Sequence, residues 1–208
     1  MDSPEITQAV DALRHRLAPG TRVIIGIAGA PGSGKSTFAA WLQGQFSPGA
    51  SVVVPMDGFH LGNAIIDGTP LRQRKGAIDT FDGGGYLALL RRLVRRDEDV
   101  VYAPEFRRTI DEPVAASIAV PADVPLVITE GNYLLAEQGP WKEVRAQLDE
   151  VWFLETPPAL RLQRLADRHV SFGMDREAAV AWANGPDEAN ARLIQATRPA
   201  AHRIIPWL

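Results

Sequence analysis

One short segment constrains the fold more than any other. Residues 29–37 read GAPGSGKST and directly follow the apolar run VIIGIA at 23–28. Glycine inside a helix or strand costs stability, so a cluster of glycines needs a functional reason. The segment matches the pattern G-x-x-x-x-G-K-[ST], in which backbone N–H groups turn inward around phosphate oxygens at the start of a helix. The pattern therefore predicts a buried strand, a phosphate-binding loop and a helix, in that order.

The positions of this loop predict separate contacts with a nucleotide. Lys35 is expected to reach the β- and γ-phosphates, and the Ser36 hydroxyl is expected to bind Mg²⁺. The Thr37 hydroxyl can donate to an oxygen of the α-phosphate. The cofactors implied are therefore ATP and Mg²⁺. The predicted ATP-binding residues are Gly29, Ala30, Pro31, Gly32, Ser33, Gly34, Lys35, Ser36 and Thr37.

Apolar strand segments alternate with helical segments along the rest of the chain. This alternation is typical of a parallel sheet covered by helices on both faces. We predict an α/β protein with the three-layer P-loop NTPase fold, as a single domain over residues 1–208 with a helical lid at about 157–185. Strands are predicted at 22–28, 51–56, 125–129, 150–154 and 203–205, with short ones at 100–103 and 115–120; helices are predicted from a Ser3 cap to 17, at 35–45, 86–96, 141–148, 157–170 after a Thr156 cap, 175–183 and 186–197.

The composition argues against several functional classes. A net charge of −3 offers no broad basic field to a nucleic-acid backbone, and the absence of cysteine removes disulfides, thiolate catalysis and zinc–sulfur sites. The first residues are polar and lack the basic start and apolar stretch of a signal peptide. No apolar run approaches the length of a membrane-spanning helix. We expect a cytoplasmic protein that binds neither nucleic acid nor a membrane.

Phosphate binding alone leaves the reaction open, because one fold hosts many activities. The sequence lacks the N-K-x-D or T-K-x-D motif of a GTPase and the L-S-G-G-Q motif of a transporter ATPase. Asp57 follows the second predicted strand, where a carboxylate could accept the proton of an attacking hydroxyl; alternatively it is a turn residue before Gly58. Glu130 ends the third strand in PLVITEG. It could act on Mg²⁺ through water or orient the substrate, or be a turn residue beside Gly131.

Three arginines recur on one predicted helix. Arg161, Arg164 and Arg168 have the spacing i, i+3, i+7, which places them near one helix face. Such a row is commonly a solvated basic surface. After a strand of a P-loop protein it is also where a lid brings arginines to the transferring phosphoryl group. We interpret it as a lid and predict Lys35, Asp57, Arg164 and Arg168 as the catalytic residues.

Several segments together resemble a known family. GIAGAPGSGKST, VVPMDGFHLGN, RKGAIDTFD, VYAPEF and VITEGNYLL occur in the order found in the superfamily of uridine kinase, phosphoribulokinase and bacterial pantothenate kinase. The resemblance covers roughly residues 20–170. The downstream segment resembles a subgroup described as nucleoside/nucleotide kinase-like or as fructose transport system kinases. The chain is short for a pantothenate kinase, and Phe59–His60 stands where uridine kinases usually carry other groups.

The resemblance implies roles for particular residues. Asp57 would be the catalytic base, and Glu130 would lie beside Mg²⁺ and substrate, so that Ser36 and Glu130 are the predicted metal residues. Residues 57–85, which have no clear period, would be an acceptor-binding insertion. By its position, and not from the resemblance, the C-terminal segment ATRPAAHRIIPWL is expected to help hold the adenine; Asn190 and Arg192 either contribute to that contact or face solvent. The predicted substrate residues are His60, Arg74, Lys75, Tyr102, Arg108, Asn132 and Tyr133.

These observations favour an ATP-dependent kinase that phosphorylates a hydroxyl of a small molecule such as a sugar, a nucleoside or a pantothenate-like alcohol. Relatives often form homodimers, so a homodimer is possible here. The alternative is a regulatory nucleotide-binding ATPase without a small-molecule acceptor. A non-catalytic phosphate-binding protein is less favoured, because Ser36, Asp57 and Glu130 are all present.

Overall fold

A five-stranded parallel sheet forms the centre of the molecule. The computed structural model describes residues 4–18 and 20–208, so the predicted Ser3 cap lies outside the described residues. The strand order is β2-β5-β1-β6-β7. The sheet strands are β1 Val23–Ala28, β2 Ser51–Pro55, β5 Leu126–Gly131, β6 Glu150–Glu155 and β7 Arg203–Pro206, and a separate antiparallel hairpin pairs β3 Val100–Arg107 with β4 Glu112–Pro121.

The register of the sheet brings three predicted functional segments to one edge. Ala28, the last residue of β1, lies opposite Gly131 of β5, and Pro55, the last residue of β2, lies opposite Glu130. All three strands are parallel, so their carboxyl ends face the same way. The phosphate-binding loop, Glu130 and Asp57 therefore emerge side by side from neighbouring strands.

Helices cover both faces of the sheet, because successive side chains of a strand point to opposite sides. Ile25 and Ile27 of β1 pack with Phe38 on one face, whereas Ile24 packs with Leu90 on the other. These two cores confirm the predicted α/β three-layer fold. The helices are α1 Pro4–Arg16, α2 Lys35–Gln43, α3 Asn63–Ile66, α4 Gly83–Arg95, α5 Pro158–Ser171, α6 Arg176–Trp182 and α7 Glu188–Ala196.

The segment between β2 and α4 is built from short helices rather than from irregular loop. Single turns of 3₁₀ helix at Met56–Phe59, Pro70–Arg74 and Ile78–Thr80 flank α3. Each is too short for a hydrophobic period to be visible in the sequence. The β3–β4 hairpin packs against the first turn so closely that a Cβ atom on Gly58 would lie 2.3 Å from the carbonyl oxygen of Pro104.

Two local expectations were wrong, the helix at 141–148 and the Thr156 cap, whereas the two predicted helices near the C-terminus are both present. The predicted helix at 141–148 is two 3₁₀ segments, Gly139–Glu143 and Arg145–Gln147. A π-helical turn at Ala183–Asp187 separates α6 from α7. Thr156 does not cap α5, whose N-cap is Pro157. Among the described residues, no helix is both long and apolar enough to cross a bilayer.

Candidate active site

The phosphate-binding loop has the backbone conformation that its glycines allow. Gly32 and Gly34 have φ angles of 77° and 83°, in the left-handed region that side chains disfavour. Gly34 is the N-cap of α2, so the unpaired N–H groups of that helix and its dipole face the loop. This arrangement provides backbone donors for an anion and is the one predicted for residues 29–37.

The same loop packs tightly against α5. A Cβ atom on Gly32 would lie 2.6 Å from the carbonyl oxygen of Arg161 and 2.9 Å from the side chain of Leu165. The Arg161 guanidinium is buried, donates to the carbonyl oxygen of Pro31 at 3.0 Å and pairs with Glu188 at 3.0 Å. Arg161 therefore holds α5 and α7 against the loop, a structural role that the spacing of the three arginines does not predict.

Lys35 lies in the middle of a cluster of opposite charges. Its side chain is buried, and its ammonium donates to the carbonyl oxygens of Gly29 at 2.9 Å and Ala30 at 3.2 Å. Burial lowers the pKa of Lys35 to about 8, although the negative charges of Glu130 and Asp57 oppose that shift. A cation in this position can interact with both the loop and the two carboxylates.

Glu130 is the buried acid of the site. Only 4% of the residue is exposed, and its Oε1 accepts a hydrogen bond of 2.9 Å from the Ser36 hydroxyl. Burial and the nearby charge of Asp57 raise its pKa to about 7, while Lys35 acts in the opposite direction. The two residues predicted from separate segments to bind metal are thus in direct contact.

Asp57 lies in the 3₁₀ turn Met56–Phe59 immediately after β2 and is half-buried. Its charge acts on Lys35 and Glu130 and on the ring of His60. The side chain has no hydrogen-bond partner among the described residues. A carboxylate near Lys35, with its oxygens available, fits the position predicted for a general base.

His60 is held in one orientation beside Asp57. Its ring lies between Phe81 and Phe106, with centroid distances of 4.0 and 4.6 Å. Burial lowers the pKa of the imidazole, which favours the neutral form. Nδ1 lies 2.8 Å from the carbonyl oxygen of Asp57, and because a carbonyl only accepts, Nδ1 must carry the hydrogen. The other ring nitrogen, Nε2, is therefore an acceptor.

The remaining two arginines of α5 extend along the site. Arg164 has a buried Nη1 with no hydrogen-bond partner among the described residues, 3.5 Å from where a Cβ of Gly34 would be. Burial lowers the pKa of Arg168, and the positive charge of Arg108 lowers it further. Both predicted lid arginines thus face the site.

Two predicted substrate residues are occupied by other contacts. Arg74 pairs with Asp79 at 3.1 Å on the surface. The Lys75 ammonium donates to Asn63 and to Asp111, both at 2.7 Å, and ties the α3 region to the β3–β4 hairpin. These contacts favour a structural role for both side chains.

The other predicted substrate residues differ in their surroundings. The buried Tyr133 hydroxyl donates to the Gly76 carbonyl oxygen at 2.7 Å and lies 2.9 Å from Oδ1 of Asn190. Asn132 is half-buried beside it. Tyr102 is 55% exposed on β3, whose neighbouring residues 101 and 103 point into the core. Arg108 lies in the hairpin turn and lowers the pKa of Glu130, so its charge reaches the site.

A cavity of about 540 Å³ lies beside the loop at the carboxyl ends of β6 and β7. The Thr156 hydroxyl joins its wall to the loop, because it lies 3.1 Å from the Ser33 carbonyl oxygen and 2.9 Å from that of Trp207. Arg192 and the end of the C-terminal segment, which were predicted to hold the adenine, line this cavity together, whereas Thr156 had been taken for a helix cap. The cavity is lined among others by Pro157, Glu188, Arg192, Pro206, Trp207 and Leu208.

The fold and this loop define a P-loop protein of the nucleoside triphosphate-binding class. A protein of Schizosaccharomyces pombe named "Putative uridine kinase C227.14" is 32% identical over 94% of this chain and 88% of its own length. The chain belongs to the family of uridine kinase-like P-loop kinases, and its general activity is ATP-dependent phosphotransfer. No protein-family model matches it.

Solved structures agree with this assignment. A crystal structure of a "putative fructose transport system kinase" from Silicibacter sp. TM1040 has a TM-score of 0.85 at 38% identity, over 98% of this chain and 100% of that one. The structure of YFH7 from Saccharomyces cerevisiae, described as a "putative P-loop containing kinase with a circular permutation", has a TM-score of 0.79 at 18% identity, over 99% of this chain and 98% of that one. The second likeness shows the shared fold.

Proposed function

We propose that this protein transfers the γ-phosphoryl group of MgATP to a hydroxyl of a small molecule. The observation that carries the proposal is the meeting of Lys35, Glu130 and Asp57 in one charge cluster beside the loop. Phosphoryl transfer needs positioned cations and an oriented hydroxyl more than covalent chemistry, because its transition state is loose. Each of these requirements has a residue in the cluster.

The phosphate chain would lie on the loop. The N-terminus of α2 offers backbone donors, and Lys35 is close enough to the loop carbonyls to exchange them for phosphate oxygens. The buried, unpartnered Nη1 of Arg164 supports the same placement, since a buried guanidinium without an acceptor is costly. The adenine would occupy the cavity between α5, α7 and the C-terminal strand β7, which adjoins the loop at Thr156.

Ser36 and Glu130 fit a magnesium site. Mg²⁺ binds few protein oxygens and keeps several waters, so one hydroxyl and one carboxylate in contact at 2.9 Å are a suitable pair. When bound, Mg²⁺ would offset charge on the phosphate oxygens. Its charge would also favour the ionised form of Glu130, whose pKa is otherwise raised to about 7.

Asp57 would accept the proton of the attacking hydroxyl. Asp57 follows the carboxyl end of β2. One strand, β5, separates β2 from β1, at whose carboxyl end the loop begins. The 57–85 segment and the β3–β4 hairpin would form the acceptor side, and residues 157–185 the lid. Arg164 and Arg168 would bring positive charge from that lid to the transferring group, an effect worth on the order of 10³-fold for comparable arginines.

The test compares Asp57→Asn with the parent chain in an assay of acceptor-dependent ADP release over a panel of hydroxyl compounds. We expect the variant to keep its ATP affinity and lose roughly 10²–10⁴-fold in kcat, because a general base contributes about that much. Asp97→Asn is the control, since Asp97 is exposed, pairs with the neighbouring Arg95 and lies outside both the loop and the 57–85 segment. Turnover of Asp57→Asn at the parental rate would reject the assignment of the base.

Hydrolysis that no compound accelerates, with a protein partner retained only in the presence of ATP, would favour the regulatory ATPase instead. The half-buried segment that carries His60 and Asp57 argues against that alternative, because a switch protein has no need of an acceptor side. The panel thus separates the two functions directly.

A further inference from the structure

We propose that Tyr133 is a positioning residue, whose hydroxyl holds the acceptor side of the site in place relative to the nucleotide side. This inference rests on the proposed function, because it assigns the alignment of the two reactants to one side chain. Tyr133 need not touch either reactant for this role. Its hydrogen bonds to two other parts of the chain carry the effect.

Tyr133 lies on a well-packed part of the fold close to the proposed chemistry. It follows the end of β5, three residues after Glu130. The residue is 3% exposed, and the centroid of its ring lies 5.5 Å from that of Phe81 and 5.7 Å from that of Trp141. Burial raises the pKa of the phenol, so the hydroxyl keeps its hydrogen. The packed ring therefore presents a hydrogen-bond donor at one fixed point.

Two oxygens from different parts of the chain face this hydroxyl. The carbonyl oxygen of Gly76 lies 2.7 Å from the Tyr133 hydroxyl oxygen, and Oδ1 of Asn190 lies 2.9 Å from it. Gly76 belongs to the 57–85 segment proposed as the acceptor side, whereas Asn190 belongs to α7. A phenol carries a single hydrogen, so the two oxygens share one donor. Removing the hydroxyl therefore releases both segments at once.

On the acceptor side, Gly76 is joined to the turn that carries Asp57. The backbone N–H of Gly76 donates to Oγ1 of the fully buried Thr80 at 3.0 Å. The carbonyl oxygen of Thr80 in turn accepts from the backbone N–H of Leu61 at 2.8 Å. Leu61 follows directly on His60, which bounds the 3₁₀ turn that contains Asp57. Holding the Gly76 carbonyl therefore helps to hold the segment that begins with the proposed base.

On the nucleotide side, α7 is joined to the phosphate-binding loop. Glu188, two residues before Asn190, pairs with Arg161 at 3.0 Å. Arg161 in turn donates to the carbonyl oxygen of Pro31 at 3.0 Å. One face of α7 lines the cavity proposed for the adenine, and its residues are Glu188, Ala191, Arg192 and Gln195. Asn190 lies outside this face, and its side chain contacts Tyr133 instead.

Tyr133 is the link between the two sides. Within residues 4–18 and 20–208, no hydrogen bond runs directly from the 57–85 segment to α5, α6 or α7, and Tyr133 alone is bonded to both. The other polar contacts that leave the segment reach the β3–β4 hairpin, as from Lys75 to Asp111. A phenylalanine ring would fill the same space in the core. The hydroxyl is thus what ties the acceptor side to α7.

The test compares Tyr133→Phe with the parent chain and with Tyr86→Phe. Tyr86 is the matched control, because its buried hydroxyl bonds within the central fold, to Thr129 at 2.6 Å, and both variants keep their rings. Asn190→Ala removes only the α7 oxygen. The double variant Tyr133→Phe/Asn190→Ala shows whether the two residues act through one contact.

Acceptor-dependent ADP release is measured with ribose, uridine and pantothenate, one compound for each proposed class of acceptor. Calorimetry with the non-hydrolysable analogue adenylyl imidodiphosphate and Mg²⁺ measures nucleotide affinity separately. A purely structural role for the hydroxyl would affect Tyr133→Phe and Tyr86→Phe alike in both assays. A positioning role would separate the two variants in the kinetic assay alone.

We expect Tyr133→Phe to lose roughly 10–100-fold in kcat/KM for the acceptor that the parent uses, because a misplacement of about 1 Å can cost 10²-fold when reacting groups must be aligned. Affinity for the analogue should stay within about twofold of the parent, since the loop and the cavity keep their own residues. Tyr86→Phe should match the parent in both assays. Asn190→Ala should lose a smaller factor than Tyr133→Phe, and the double variant should lose no more than Tyr133→Phe, because the shared contact is already absent.

Four results would overturn the inference. Parental kcat/KM in Tyr133→Phe, or an equal loss in Tyr86→Phe, would reject the positioning role while leaving the proposed kinase function intact. A loss of analogue affinity as large as the loss of kcat/KM would assign Tyr133 to the nucleotide site. Losses that simply add in the double variant would reject the shared contact with Asn190. Absence of acceptor-dependent ADP release by the parent with all three compounds would reject the proposed function and the inference together.

Discussion

The contact between the phosphate-binding loop and α5 can be tested at Gly32. Replacing Gly32 with alanine adds a Cβ atom 2.6 Å from the backbone carbonyl oxygen of Arg161 and 2.9 Å from the side chain of Leu165. Real Cβ atoms essentially never approach a heavy atom so closely, so loop and helix must separate. The φ angle of 77° adds a strain of its own.

A second glycine of the chain isolates these two effects. Gly49 has almost the same φ angle, 80°, but a Cβ atom there would meet nothing within 4 Å. Gly49→Ala should therefore cost only the left-handed strain, about 1 kcal/mol after the stiffening of the unfolded chain is subtracted. Gly32→Ala carries the same strain plus about 1–3 kcal/mol for overpacking, giving a loss of about 2–4 kcal/mol.

Urea or guanidinium unfolding at a fixed pH measures both losses, and thermal unfolding gives about 2–4 °C per kcal/mol for a chain of this size. ATP affinity, followed by calorimetry, should fall in Gly32→Ala and stay parental in Gly49→Ala, because only Gly32 belongs to the loop. If the two variants lost the same free energy of unfolding within about 0.5 kcal/mol, the tight contact between the loop and α5 would be wrong.

Three further perturbations probe the rest of the site. Tyr86→Phe removes a buried hydroxyl that donates to Thr129 at 2.6 Å and should cost about 1–2 kcal/mol in urea unfolding, whereas the exposed Tyr102→Phe should cost less than about 0.5 kcal/mol. Arg161→Leu leaves Glu188 and the Pro31 carbonyl without their donor, so it should lower the free energy of unfolding by about 2–4 kcal/mol, and Gln163→Ala on the exposed side of α5 should be neutral. The pKa of Glu130 is raised from 4.5 to about 7 in the folded state, so protonation of this carboxyl stabilises the folded state. This contribution to the free energy of unfolding is fully present below pH 4.5 and is lost as the pH rises to about 7. In Glu130→Gln the free energy of unfolding should not show this decrease between pH 4.5 and pH 7. A variant with the same pH profile as the parent would contradict the raised pKa of Glu130.

The sheet and its functional edge were predictable because their signals are local. The glycine loop after VIIGIA marks β1 and α2, and two of the other apolar runs are followed directly by Asp57 and Glu130. Parallel strands align their carboxyl ends, so Asp57 and Glu130 were expected to meet the loop although they are far apart in the sequence. The contact between Ser36 and Glu130 follows from the same geometry.

The parts that could not be predicted depend on tertiary packing. The spacing of the α5 arginines predicted that they share one helix face, but it did not predict how far each side chain is buried. Arg161 is buried, whereas Arg168 is half-buried. Thr156 precedes a helix like a capping residue, yet its hydroxyl binds backbone oxygens of two other segments. Single turns such as Met56–Phe59 carry no period at all.

The packing of α5 explains how its arginines are positioned beside the phosphate-binding loop. Its first half is fixed to the loop, because Arg161 donates to Pro31 and Gly32 lies against the Arg161 backbone. Its apolar side joins neither of the two cores beside the sheet but a small separate cluster, Leu165 and Ala166 with Ala183. The helix is thus attached to the phosphate-binding loop as well as to β6, which precedes it. In the proposed reaction this attachment would position Arg168, about 10 Å along the helix from Arg161.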